Sequence, residues 1–331
     1  MLVALLAAFS VPATARPGVA KSGSGYAQRP DVREFIAQIA QDEGFSQKTL
    51  MRLFSHVETQ NSAIRAMTAP VSVPPKWFEY APQFVNPERI AGGVAFWNAN
   101  RVALVRAERM YGVPAEVIVA IIGVETYYGR VPGRYRVLDA LATLAFDYPR
   151  RADYFRNELK QFLLLTREWN ISPLGPRGSF AGAMGVPQFM PTSFRQYAVD
   201  FDADGRIDLW ADMDDVVGSV GNFLARHGWE EGRLVLQPVA ALSDESRALV
   251  GENGLSERRD YGDWVTSGVT LADPPEVNPL WAAVLVQLDG AEGPQYRLGF
   301  NNFYVLTRYN RSRLYATAVW ELAQAIRKAR S

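Results

Sequence analysis

From Ile118 to Val124 every position is apolar ("IVAIIGV"), and the next residue is a glutamate, Glu125. Apolar residues all round a helix place it at the centre of a domain rather than on its surface. Pro114, just upstream, suits the first position of that helix. Gly129 and Pro132 end the pattern soon after Glu125, so the carboxyl sits near the helix C-terminus. There, burial and the negative end of the helix dipole both favour its protonated form.

Other segments alternate apolar and polar faces. Val32, Phe35, Ile36 and Ile39 mark a helix with Asp31 as N-cap and Gly44 as stop. A second helix is expected at about 47–57. Residues 69–85 contain four prolines and are expected to run extended. One long helix should follow from Asn86-Pro87 to about Tyr111, closed by Gly112. Further helices are expected at 138–144, 151–167, 193–197 and 216–227. Past Gly232 the pattern changes to short apolar runs broken by Gly, Pro and Asp: "LVLQPVAAL", "DWVTSGVTL", "WAAVLVQLDG", "QYRLGF" and "FYVLTRYN". That is strand chemistry. Apolar Leu314, Ala318, Leu322 and Ala325 then predict a last amphipathic helix. The expected fold class is mainly α with a small antiparallel β insert.

Composition narrows the chemistry. The 331 residues carry 35 Lys plus Arg against 35 Asp plus Glu, so nothing argues for a nucleic-acid partner. No cysteine is present and only two histidines, His56 and His227. Thiolate chemistry is thereby excluded and a histidine-based serine hydrolase disfavoured, which leaves carboxylates as the proton carriers. The N-terminal "LVALLAAF" followed by Ala13-Thr14-Ala15 reads as a signal peptide over 1–15, although without a basic n-region. With no cysteine after it, no lipoprotein anchor is expected, and residues 16–29, rich in Gly and Ser, are expected to be a flexible linker.

Three stretches stand out as candidate sites. Glu125 fits a general acid with a raised pKa; spacing alone equally allows a helix cap or an ion pair with Arg130, Arg134 or Arg136. In "RGSFAGAMGVPQFMPTSF" (177–194), Gly178, Gly182 and Gly185 let backbone approach a ligand, and Ser179 and Gln188 offer uncharged hydrogen-bonding groups suited to a sugar. On the residues alone, the same stretch reads more readily as a tight core loop with Met184, Phe189 and Met190 packed inside. In "DFDADGRIDLW", Asp200, Asp202 and Asp204 hold positions 1, 3 and 5 of an EF-hand-like loop, with Gly205 at 6 and Arg206 offering only its carbonyl. Position 12 is Ala211 instead of glutamate.

"IIGVETYYGRVPGRYRVLDALATLAFDYPRRADYF", "GSFAGAMGVPQFMPTSFRQYAVDFDADGRIDLW" and "NNFYVLTRYNRSRLYATAVWELAQAI" closely resemble the lytic murein transglycosylases of the B type, from about residue 30 to the C-terminus. The resemblance implies Glu125 as sole catalytic acid/base. It implies Arg150, Arg151, Ser179, Gln188, Asn302, Tyr304 and Tyr309 in the glycan groove, with Tyr80 a further carry-over. It also implies a structural calcium ion on Asp200, Asp202, Asp204 and Arg206, with Asp214 as last ligand of a longer loop. The implied fold is a lysozyme-like core over 113–232, a helical domain over 30–112 joined by 312–331, and a β domain over 233–311.

The implied reaction cleaves peptidoglycan between N-acetylmuramic acid and N-acetylglucosamine without water, leaving a 1,6-anhydro sugar, in the periplasm. Glycan strands are the expected partner, other cell-wall enzymes a further one, and a monomer without a membrane anchor the expected state. The alternatives are a hydrolytic muramidase, which needs a second carboxylate such as Asp139, Asp147 or Asp153, and a peptidoglycan-binding protein without catalysis.

Overall fold

A computed structural model describes residues 25–69, 75–272 and 276–331. The expected signal peptide lies outside the described residues, and among those described no helix is long and apolar enough to cross a membrane. The chain divides into two compact units. Among the described residues, one comprises 75–131 and 197–331, and the other 25–69 and 132–196.

In the first unit the apolar run forms the helix Ala115–Thr126, buried from Ala115 through Val124. The helices Pro87–Ala99, Arg101–Tyr111, Met213–Arg226 and Arg313–Arg330 pack against it. Being covered on all sides is what an all-apolar helix requires. The expected single helix over 86–111 is two helices. Asn100 adopts φ −113°, ψ 27° between them, and its side-chain amide donates to the Phe96 carbonyl at 2.8 Å. The expected extended stretch also differs: Trp77–Tyr80 is helical and Ala81–Gln83 a 3-10 turn. Pro82 falls where a helical start needs no N–H, and burial of Trp77 folds the segment inward.

The rest of this unit is a five-stranded antiparallel sheet in the order Arg259–Asp260, Ala282–Gly290, Gly293–Gly299, Leu236–Ala241, Thr270–Leu271. Its core gathers Trp264, Val269, Leu271, Ala283, Leu285, Leu298 and Phe300. Two runs expected as strands differ. "FYVLTRYN" belongs to the helix Asn301–Tyr309, and the start of "DWVTSGVTL" to the helix Tyr261–Thr266.

The second unit holds Pro30–Glu43, Gln47–Phe54, Asn61–Thr68, Val137–Asp147, Ala152–Glu168 and Pro191–Tyr197, the last reaching its boundary, with a two-stranded ribbon pairing Tyr135–Arg136 with Arg177–Gly178. The first helix begins at Pro30 with Arg29 as N-cap rather than Asp31, and ends at Gly44 in the left-handed region as expected. The expected linker is wrong at its described end. Tyr26 is 4% exposed, its hydroxyl bonds to Asp147, and Arg29 pairs with both Asp31 (2.7 Å) and Asp147 (2.5 Å). An aromatic ring and an ion pair outweigh the flexible composition around them.

Candidate active site

Glu125 lies in the last turn of its helix. The residue is half-buried, and its carboxyl interacts with three tyrosines of the same unit. Tyr315, at the start of the C-terminal helix, donates its hydroxyl to Glu125 Oε1 at 2.6 Å. Burial, and after it the charge of Glu125, raises the phenol pKa values of Tyr80 and Tyr309. Tyr309 stacks on Tyr315 with ring centroids 6.5 Å apart at 12°. Among the described residues no arginine or lysine forms an ion pair with Glu125, so neither an ion pair with Arg130, Arg134 or Arg136 nor simple capping explains its place.

Burial pushes the Glu125 carboxyl up to about 7, while the Tyr315 hydrogen bond, which favours the anion, pulls the other way. Such a group near neutrality exists in both states, as an acid that becomes a base in one cycle requires. Glu116, on the same helix, is 6% exposed but pairs with Arg327 at 3.3 Å.

The helix stops immediately after the acid in an unusual way. Tyr127 (φ 53°) and Tyr128 (φ 62°) are left-handed, followed by Gly129 (φ 82°). Left-handed conformers of residues with a Cβ are disfavoured by about 1 kcal/mol or more each and persist where surroundings hold them. The Tyr127 and Tyr128 N–H groups bond back to Gly123 O (3.1 Å) and Ile122 O (3.3 Å). Gly123 is required here, because a Cβ on it would stand 2.6 Å from the Tyr128 ring.

In the second unit the glycine-rich stretch forms a tight loop. The Ser179 hydroxyl oxygen accepts from Ala183 N (3.0 Å) and Ala181 N (3.3 Å). A Cβ on Gly178 would stand 2.0 Å from the Ala183 carbonyl oxygen, so only glycine allows this approach. Gln188, at φ 55°, donates through Nε2 to Gly185 O (2.8 Å) and Pro132 O (3.0 Å); that leaves Oε1 as its acceptor. Met184 and Phe189 are buried and Met190 half-buried, so the stretch is a tight core loop, with Ser179 and Gln188 half-buried within it. Arg150 is exposed. Arg151 lies 4.2 Å over the Tyr154 ring; burial raises the Glu158 carboxyl, opposed by its hydrogen bonds from Thr192 and then by the Arg151 charge.

One expected groove residue is displaced. Asn302 is fully buried. Its amide oxygen accepts from Glu230 N (2.8 Å), and its nitrogen donates to Glu230 O (2.8 Å) and Arg233 O (3.2 Å). With the amide so engaged it pins backbone and is not free for a sugar. Tyr304 is exposed on the same helix. The residue sequence reasoning missed is Tyr315, 190 positions from its partner. Nothing in local pattern marks it, since its neighbours read as ordinary helix.

In the acidic loop, Asp200, Asp202 and Asp204 bring carboxylate oxygens within 4.8 Å of one another. Ala203 (φ 65°) and Gly205 (φ 88°) turn the backbone, and Asp200 accepts from Asp204 N (3.1 Å) and Gly205 N (2.9 Å). Three converging carboxylates fit a hard cation. Asp214 lies outside this cluster, and its Oδ2 pairs with Arg106 at 3.2 Å. Only the N–H of Arg206 is fixed, by Asp204 Oδ1 at 2.8 Å.

The transglycosylase SLT domain model matches residues 27–324. The chain is 43% identical over 321 residues to "membrane-bound lytic murein transglycosylase B" of Escherichia coli (strain K12), covering 94% of this chain and 87% of that protein. The structure resembles the soluble lytic transglycosylase SltB1 from Pseudomonas aeruginosa, with a TM-score of 0.86 and 46% identity over 91% of this chain and 99% of the other. It also resembles the Escherichia coli lytic transglycosylase Slt35 in complex with calcium, with a TM-score of 0.85 and 43% identity over 93% of this chain and 96% of the other.

Proposed function

The chain belongs to the transglycosylase SLT family and is a lytic murein transglycosylase, and we propose that Glu125 is its single general acid and base. The observation that carries this reading is a carboxyl without a counter-cation, held near neutrality and oriented by Tyr315. Glu125 donates its proton to the oxygen leaving N-acetylmuramic acid C1. The 2-acetamido group stabilises the electron-poor carbon without a second carboxylate. Glu125, now anionic, accepts the O6 proton as O6 attacks C1, closing the 1,6-anhydro ring. O6 is tethered to the reacting sugar, which favours it over water by effective concentration. Ser179, Gln188, Tyr80, Tyr309, Tyr304, Arg150 and Arg151 serve the glycan strand.

The fate of the other carboxylates supports a lyase over a muramidase. Asp139 is held by Arg136 at 2.8 Å and Asp147 by Arg29 at 2.5 Å; the side chain of Asp153 is fully exposed. None is free within a shielded pocket to ready a water. Mass spectrometry of products from purified sacculi tests the reading. Muropeptides ending in 1,6-anhydromuramic acid are expected, each lighter by one water than the hydrolysis product. Reducing muramic ends, with solvent oxygen-18 incorporated, would establish hydrolysis, and no release at all would leave a binding protein.

Calcium on Asp200, Asp202 and Asp204 is part of the same proposal, as is a periplasmic location. Binding to the native state alone stabilises by about 2.7 kcal/mol at a hundredfold excess over Kd. A melting temperature raised by calcium and lowered again by EDTA is expected. Indifference to both removes the ion from the proposal.

A further inference from the structure

The turn behind Glu125 is held by a half-buried cation that the reaction does not use. Arg89 lies in the first turn of the helix Pro87–Ala99, its backbone N–H fixed by Asn86 Oδ1 at 2.9 Å. Its guanidinium Nη1 donates to the Gly123 carbonyl, two residues before the acid. The guanidinium carbon lies 4.6 Å from the Tyr127 ring centroid and 5.4 Å from that of Phe84. The Tyr128 hydroxyl donates to the Arg89 carbonyl at 2.7 Å. Phe84 in turn meets the Tyr80 ring at 4.9 Å.

Tyr80, Phe84, Arg89 and Tyr127 therefore form one continuous stack. It starts at a phenol that feels the charge of Glu125 and ends two residues after that glutamate. The guanidinium is costly where it stands. Its Nε is buried without a partner, and among the described residues it makes no ion pair. A partly desolvated guanidinium with no direct ion pair, its nearest acidic help being the charge of Glu88, needs other contacts to offset its burial. What it holds is the Gly123 carbonyl near the helix C-terminus, which also accepts from Tyr127 N and where cations are favoured, together with the left-handed Tyr127–Tyr128 pair.

We propose that Arg89 is a positioning residue for Glu125. It clamps the last turn of the acid's helix to the Tyr80–Phe84 segment, so that the carboxyl meets the glycosidic oxygen in a fixed orientation. The proposal rests on Glu125 being the acid.

The test uses the whole enzyme and a soluble glycan substrate, with Glu125→Gln run in parallel. If Glu125→Gln turns over normally, the assignment of the acid falls, whatever Arg89 does. For Arg89→Ala, kcat should drop about a hundredfold, the scale of a misplaced catalytic group, with KM nearly unchanged. Guanidinium chloride far below denaturing concentration should restore part of kcat to Arg89→Ala but none to Glu125→Gln. Arg89→Lys keeps the charge without the planar stack and should lie between Arg89→Ala and wild type. Tyr128→Phe, which removes one hydroxyl, covers the case in which Arg89→Ala fails to fold; it should lower kcat in the same pattern by a smaller factor. Folded variants with kcat within roughly twofold of wild type, or a loss confined to KM, would overturn the proposal.

Discussion

Two helices in this molecule are apolar almost throughout and carry carboxylates, yet they use them differently. In Val137–Asp147, Asp139 is 2% exposed and takes both Nε and Nη2 of Arg136 at 2.8 Å, with Glu58 N at 3.2 Å. Asp147 ends that helix between Arg29 and Tyr26. In Ala115–Thr126, Glu125 receives one phenol. Apolar surroundings are common to both helices, so they cannot be what makes an acid. The missing countercharge does: a desolvated carboxyl without a cation stays protonated to higher pH, and one gripped by arginine becomes a structural pin. Glu116 repeats the lesson within the acid's own helix, through Arg327.

The contrast breaks most visibly at Glu125 itself. Glu125→Gln keeps the shape and removes the proton, and the rate should fall by about two to four orders of magnitude with an unchanged circular dichroism spectrum. Turbidity clearance near the wild-type rate would make Glu125 one more structural carboxyl. The same variant should flatten a pH dependence of stability. Between the ordinary 4.5 and about 7 the folded chain keeps a proton on Glu125 that the unfolded chain has lost, so wild-type stability falls as pH rises through that window. On the other helix, Arg136→Met leaves Asp139 buried and unpaired. It should cost about 3 kcal/mol in urea unfolding, with turnover per folded molecule unchanged; a loss of turnover instead would draw Asp139 into the chemistry.

The smallest effect sharpens the comparison. The reaction needs protonated Glu125, so the rate should decline as pH rises past about 7. Tyr315→Phe removes the donor that favours the carboxylate. The descending limb of the pH–rate profile should then move to higher pH, and a limb that stays put would make Tyr315 a packing residue only.

Much of this was legible in the chain because it was local. Seven apolar positions before one glutamate located both the central helix and the carboxyl with the raised pKa, and Gly44 and Gly112 marked helix ends where left-handed backbone is needed. What failed to show depended on distant or ambiguous pairing. Phe303, Val305 and Leu306 satisfy a short strand as well as a helix, and only packing decides. Asn302 looked like a ligand because its residue type can bind sugar, while its amide is occupied by Glu230 and Arg233, some seventy residues away. Tyr26 and Arg29 sit beside a Gly/Ser-rich stretch that hid their contacts with Asp147.

The reach from Glu125 to Tyr315 also has a consequence in time. Synthesis lays down the helix Ala115–Thr126 long before the final helix, Arg313–Arg330, that covers one of its faces and supplies the phenol. A growing chain that stops short of that last segment has the acid but neither its hydrogen-bond donor nor its lid of apolar residues. The carboxyl would then be wetter and more acidic, poorly suited to donate at neutral pH. An enzyme that cuts the wall enclosing its own cell would thus be made disarmed, and would arm itself only once that helix has been laid down.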